Sequence, residues 1–394
     1  MSAGIRGTVA PGYERVRDAF AANFAERGDT GASVAVVAGG QPVVHLWGGW
    51  ADRARTQPWQ PDTLTNVWSS TKAMTALCAL VLIDRGELDP DAPVARYWPE
   101  FAAAGKADIP VRWVLSHRAG LAALSQPVTQ DDLLDWATMT SRLAAQPPLW
   151  PPGTVSGYHS VTFGYLVGEV VRRVTGQSLG RFFAAEVAGP LRADFHIGLA
   201  EADLARCAQL HNLPAPAPGE QAGRAARLGA ADLSGYPALA AALGQPATRF
   251  RANDRGWRMA EIPAANGHGT ALALATILGA AVDGAARPSS GPLSSHPMIS
   301  AGTLAAARTG QGRCTDLVLG IPMDWGLGVA LSGPEGHFGP NPAAFGHDGA
   351  GGSAVCADPE AGFAFSYVMN GMAWSLVDDQ RKMSLLDAVY ASVR

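Results

Sequence analysis

Trp68-Ser69-Ser70-Thr71-Lys72 runs without a break into Ala73-Met74-Thr75-Ala76-Leu77-Cys78-Ala79-Leu80-Val81-Leu82. An apolar run of this length, ending near Gly86, predicts a helix that is buried on most of its faces. The chain has three lysines (Lys72, Lys106, Lys382) among its 30 Lys and Arg residues. One of the three opens this helix, three residues after a serine. Residues three apart share a helix face. A lysine held in apolar surroundings loses solvation, which favours its neutral form. A neutral amine can take the proton of a serine hydroxyl, and the helix start can stabilise the oxyanion that follows. This is the Ser-x-x-Lys arrangement of serine acyl transfer. The competing reading makes Ser69 a helix cap and points Lys72 at solvent.

Composition narrows the field. With 394 residues, 47% hydrophobic and 16% charged, the chain can bury a large core. A net charge of −4 and a pI near 6.1 give no electrostatic case for nucleic acid or an anionic membrane. No run is long enough to span a membrane. The first residues carry no apolar signal segment, so a cytoplasmic protein is expected. Cys78, Cys207, Cys314 and Cys356 are widely spaced and read as free thiols of a reducing compartment.

Periodicity outlines the rest. Residues 13–27 read as an amphipathic helix, and 32–37 and 43–47 as strands joined through Gly39-Gly40-Gln41. A short helix over 111–115 is closed by Gly120. Residues 126–157 read as irregular, 160–174 as a strong helix and 270–282 as another. Residues 213–260, rich in Ala, Pro and Gly, read as a lid or insertion that shapes an acyl pocket. Strands are expected at 325–331, 353–357 and 363–368, and a last helix from about 375 to 393. Strands at both ends with helices between them predict an α+β fold. One antiparallel sheet is built from both termini and flanked by helices, with a helical subdomain inserted. The expected division is a single catalytic unit over 1–394: an α/β part from about 1–75 plus 270–394, and a helical part with its lid from about 76–269.

Two further motifs bear on chemistry. Gly157-Tyr158-His159-Ser160 precedes a strong helix, for which Ser160 is the natural cap. Tyr158, in a Gly-flanked turn, can reach a cleft. Beside a cationic lysine its phenol pKa would fall, which suits a general base. The alternative is a packing aromatic. Phe345-Gly346-His347-Asp348-Gly349-Ala350-Gly351-Gly352-Ser353 reads as a strand edge whose small residues let a substrate lie against the backbone. A backbone N–H there, from Ala350, could pair with that of Ser69 as an oxyanion hole. The alternative is a Gly-rich hairpin with a solvated histidine.

Taken in order, Ser69-x-x-Lys72, Tyr158 with Ser160, and His347-Asp348-Gly349 resemble the class C β-lactamase and penicillin-binding-protein superfamily. Within it, the chain is most similar to the family VIII carboxylesterases. Leu115-Ser116-His117-Arg118-Ala119-Gly120-Leu121 resembles a structural turn of that superfamily. The resemblance spans about residues 13–390. It implies a β-lactamase/transpeptidase-like fold and a serine esterase that acts without cofactor or catalytic metal. Ser69 would be the nucleophile, Lys72 and Tyr158 would share its proton, and the N–H groups of Ser69 and Ala350 would form the oxyanion hole. Ser160, His347, Asp348 and Gly349 would meet substrate. Two departures matter. Ser160 stands where the lactamases carry Asn, and His347 stands where they carry Lys. A titratable histidine holds a carboxylate less well than a permanent cation, which favours neutral small-molecule esters. An acyltransferase using the same acyl-enzyme, and a β-lactamase or D-alanyl peptidase, are the alternatives. A non-catalytic scaffold is a third.

Some patterns read as decoys. Gly176-Gln177-Ser178-Leu179-Gly180 fits Gly-x-Ser-x-Gly, but a helix rather than a strand precedes it, so Ser178 reads as a cap. Thr270 or Asn266 is expected to cap the helix after His268, which could line the cleft. His45 reads as a packed or edge histidine, and His117 as a stabiliser of its own turn. No clustered Cys/His pattern suggests a metal site.

Overall fold

The computed structural model describes residues 4–214, 232–245, 250–286, 298–375 and 377–393. Both ends of the chain enter one seven-stranded sheet. Its strands are β1 (Arg6–Val9), β2 (Gly31–Ala38), β3 (Gln41–Gly49), β4 (Ala330–Leu331), β5 (Phe345–Asp348), β6 (Ala354–Asp358) and β7 (Phe363–Met369). They lie in the order β1-β3-β2-β7-β6-β5-β4, and every pair is antiparallel. The longer helices are α1 (Glu14–Glu26), α2 (Thr71–Asp84), α3 (Trp136–Ala145), α4 (Thr162–Thr175), α5 (Ala271–Ala286) and α6 (Gln380–Ser392).

Side-chain alternation along β2 explains the layers. Val34 and Val36 join a core with Val16 and Phe20 of α1 and Leu385 and Val389 of α6. Ala35 and Val37 join the opposite core with Leu274 and Leu278 of α5. The sheet centre is therefore covered on both faces, and β2 and β7 read as almost continuous apolar runs.

Helix α2 lies deep in the second core. Every residue from Thr71 to Leu82 is buried, as an all-round apolar helix requires. It packs against α4, whose buried side carries Phe163, Leu166, Val167, Val170 and Val171. The start of α2 thus faces the end of β5, at the seam between the sheet and the helices. No helix among the described residues is long and apolar enough to cross a membrane.

Several expectations need correction. Residues 126–157 contain two helices, Gln130–Leu134 and α3. Thr129 and Asp135 cap them, a signal hidden by the flanking prolines. Helix α4 begins at Thr162, so Ser160 is no cap; it is exposed, one residue before the helix boundary at Val161. In the 325–331 stretch only Ala330–Leu331 is strand, and α6 starts at Gln380, capped by Asp379. Strand β1 was not foreseen. Strand β5 is not an edge, because β4 and β6 flank it. The expected lid over 213–260 lies partly outside the described residues; what is described includes helices Pro237–Leu243 and Arg255–Met259.

Candidate active site

Ser69 sits in a tight 3-10 turn, Trp68–Ser70, that runs straight into α2. Trp68 has a φ of +46°, an unfavourable conformation for a bulky residue and the kind of strain found at functional turns. Its ring is wedged against Trp257 and Phe250, with centroids 5.7 and 6.0 Å away. One helical turn on, Lys72 Nζ lies 3.0 Å from Ser69 Oγ and donates to the Ala264 carbonyl at 2.9 Å. Lys72 is fully buried with no carboxylate beside it among the described residues, and this desolvation holds its pKa well below the usual lysine range. The amine is thereby biased toward its neutral, proton-accepting form.

Tyr158 lies on the other side of this pair, with Lys72 Nζ 4.7 Å from the centre of its ring. Burial raises the phenol pKa, while interaction with the Ser69 hydroxyl pulls it the other way. This overturns the expected fall. That expectation needed a cationic lysine, and burial disfavours the charge on Lys72 itself. Tyr158 stays a neutral phenol that can relay a proton.

The Tyr158 loop is fixed by groups whose part in it was not legible in the sequence. Asp316, fully buried, accepts from five donors: Ser156 Oγ, Tyr158 N, Val318 N, Leu319 N and Trp325 Nε1. Trp325 stacks on the Tyr158 ring, with centroids 5.6 Å apart and planes 10° apart. His117 does more than hold its own turn. Its carbonyl accepts from Gly157 N–H and its Nδ1 from His159 N–H, so it clamps both sides of Tyr158.

Strand β5 supplies the third wall. Gly349 lies so close to the Ser69 turn that a Cβ would fall 2.3 Å from the Val67 carbonyl oxygen and 2.1 Å from Ser353 Oγ. Ser353 Oγ donates to that Val67 carbonyl at 2.8 Å, and Ser70 Oγ donates to the His347 carbonyl at 3.3 Å. His347 is buried, not solvated. Burial, with Lys72 nearby, pushes its pKa down to about 3. Its Nδ1 faces the Asp348 carbonyl at 2.7 Å, and a carbonyl can only accept. Nδ1 therefore carries the proton, leaving Nε2 as a buried acceptor without a partner among the described residues. Asp348 is bound to Lys382 Nζ, 3.0 Å from each carboxylate oxygen.

These walls line a partly open cleft whose empty space, open solvent included, is about 450 Å³. Ser69, Tyr158, His347, Asp348 and Ala350 line it together with Leu319, Met323, Trp325, Phe338 and His337. Ser160 and Gly349 are not among the lining residues. Nor is any described residue of 213–260: the wall comes from 319–338 instead. The backbone N–H of Ala350 finds no acceptor among the described residues, and Ser69 N–H belongs to the first turn of a helix, where such groups are orphaned.

The decoys resolve physically. Ser178 follows the left-handed cap Gly176, donates to Glu261 Oε1 at 2.6 Å and caps Leu179–Phe183. Thr270, not Asn266, caps α5. His268 is buried, held to the Asn266 carbonyl, and lies away from the pocket. His45 lies inside β3, between β1 and β2, against Trp47.

Comparison with known proteins agrees over nearly the whole chain. The family model described as Beta-lactamase matches residues 16–390. The chain is 42% identical to a family VIII carboxylesterase of known crystal structure, with a TM-score of 0.88 over 99% of this chain and 100% of that one. It is 40% identical to a penicillin-binding protein homologue from Caulobacter crescentus, with a TM-score of 0.87 over 99% and 100%. Among curated relatives, Esterase/beta-lactamase LipL from Mycobacterium tuberculosis is 39% identical across 94% of this chain and 84% of its own.

Proposed function

The chain belongs to the Beta-lactamase family, and we propose that within it this protein is a serine carboxylesterase that cleaves small neutral esters through an acyl-enzyme on Ser69. The observation that carries the reading is the 3.0 Å approach of a buried Lys72 amine to Ser69 Oγ beside a neutral Tyr158 phenol. Ser69 Oγ attacks the ester carbonyl while Lys72 takes its proton. The oxyanion accepts hydrogen bonds from the N–H groups of Ser69 and Ala350. Tyr158, in contact with both Ser69 and Lys72, passes the proton to the leaving alkoxide. Water then releases the acid by the reverse sequence.

The pocket favours esters over lactams. A β-lactam antibiotic carries a carboxylate, which only accepts hydrogen bonds. His347 meets the pocket as a neutral ring whose free nitrogen also only accepts. Lys382 is occupied by Asp348 and the His337 carbonyl. The apolar walls of Leu319, Met323, Trp325 and Phe338 suit a short acyl chain. The β-lactamase reading survives as the second one, because LipL carries both activities in its name. Four unpaired cysteines support a reducing, cytoplasmic setting.

The test is turnover of p-nitrophenyl acetate and butyrate beside nitrocefin, for the wild type and Ser69→Ala. Ester hydrolysis that vanishes in the variant, with little cleavage of nitrocefin, is the expected result. Nitrocefin turnover matching that of the esters would replace the esterase reading with the lactamase one.

A further inference from the structure

The turn that carries Ala350 is held from behind by a buried ionic cluster. Gly349–Gly352 is closed by Gly352 N–H donating to the Gly349 carbonyl at 3.1 Å. Gly351, at its second central position, has a φ of +85°, as a type II turn requires. In such a turn the first central residue, here Ala350, has its N–H outside the closing hydrogen bond. The next residue, Gly351, is held through both its N–H and its carbonyl. Gly351 N–H donates to the Ser375 carbonyl, and the Gly351 carbonyl accepts from Ala373 N–H at 3.0 Å and from Arg381 Nη2 at 2.6 Å.

Arg381 is 2% exposed and uses its whole fork. Nη1 donates to Asp29 Oδ1 at 2.9 Å and to the Gly371 carbonyl at 2.7 Å. Nη2 also donates to Asp379 Oδ2 at 2.8 Å, and Nε to Asp379 Oδ1 at 3.0 Å. Asp29 is held in turn by the Tyr367 hydroxyl, 2.7 Å from each of its oxygens. A Cβ on Gly352 would sit 2.5 Å from Arg381 Nη2, so the turn and the guanidinium are in direct contact. Asp29 comes from the N-terminal part of the chain, Arg381 and Asp379 from its end. The cluster does not line the pocket. A buried guanidinium with this much order does more than neutralise two carboxylates, because one arm is committed to a backbone oxygen next to the oxyanion donor.

We propose that Arg381 is a positioning residue: through the Gly351 carbonyl it fixes the turn that aims Ala350 N–H at the oxyanion. The inference rests on the esterase reading and on Ala350 as the donor. A loosened donor weakens an interaction made mainly in the transition state, so it lowers kcat and leaves KM in place. Lysine keeps the charge but cannot span carbonyl and carboxylates with a planar fork.

The experiment compares wild type, Arg381→Lys and Asp29→Asn on p-nitrophenyl butyrate. It also measures inhibition by a trifluoromethyl ketone, whose serine adduct places an oxyanion in the same site. Arg381→Lys is expected to lower kcat about tenfold to a hundredfold, short of losing the donor outright. KM should change less than about twofold, and inhibitor affinity should weaken by the same factor as kcat. Asp29→Asn relaxes one arm of the fork without removing it, so it should show the same signature at a few-fold level if Arg381→Lys does not fold. A folded Arg381→Lys enzyme with unchanged kcat, or with a raised KM alone, overturns the inference and leaves the esterase reading intact. If neither variant shows parallel losses in kcat and inhibitor affinity, the inference is likewise overturned. A wild type that hydrolyses no ester overturns the esterase reading itself.

Discussion

In the proposed mechanism, reactivity turns on one lysine placed where lysines are costly. Lys72 has its amine against Ser69 and the Ala264 carbonyl, with no carboxylate beside it among the described residues. Its folded pKa is lowered, while the unfolded chain returns it to about 10.4. Between those two values the unfolded state binds the extra proton, so stability rises with pH through this window. Comparison with Lys72→Met isolates the term. Ester turnover by the variant should fall by about 10²–10⁴-fold. In urea titrations from pH 8 to 10, the wild type should gain stability relative to the variant, by at most about 1.4 kcal/mol per pH unit. Parallel curves would mean that Lys72 keeps an ordinary pKa and that its role as base is wrong. Ser69 and Lys72 were legible in the sequence because both sit on one helix, three residues apart. Tyr158 was legible because glycine marks its turn. Its pKa was not, since the sequence could not show how deeply the pair is buried.

Elements meet at the site through contacts far apart in sequence, and there sequence reasoning thins out. Asp316 is 158 residues from Tyr158, and Ala264 is 192 from Lys72. Neither sits in a periodic or glycine-marked segment. Trp325 was visible as part of a strand candidate, but not as the partner stacked on Tyr158. The Gly-rich stretch after His347 had a readable composition and a hidden purpose. Gly349 in it serves contact between the end of β5 and the Ser69 turn, while Gly351 and Gly352 pack against Met372 and Arg381. That assigns a definite cost to Gly349→Ala. The added methyl overlaps both the Val67 carbonyl and the Ser353 hydroxyl, so the Ser69 turn and the strand end cannot both stay in place. Overpacking of this kind costs about 1–3 kcal/mol, and the displaced turn carries Ser69, the proposed nucleophile. A lowered melting temperature together with a lowered kcat is the expected outcome. A variant with wild-type stability and rate would show that the two elements are not in register as described.

Across the whole molecule, the fold puts chemistry at a seam. The two chain ends build the sheet, and the middle of the chain supplies α4 and the Tyr158 loop. One continuous apolar core joins sheet residues such as Val355 and Val368 to Phe163 and Leu166 of α4. On this basis we regard the α/β and helical parts as one catalytic unit. The broad architecture could be read from strands at both ends and helices between them. The pocket wall could not, because much of it comes from residues 319–338, and no described residue of the weakly patterned insertion lines it. The central claim is that this seam forms an acyl-enzyme on Ser69. Rapid acid quench of the enzyme with p-nitrophenyl butyrate, followed by peptide mass mapping, tests it most directly. One butyryl group per chain is expected, on the peptide containing Ser69, and none in Ser69→Ala. Acylation of another residue such as Ser178, or ester turnover that persists in Ser69→Ala, would contradict it.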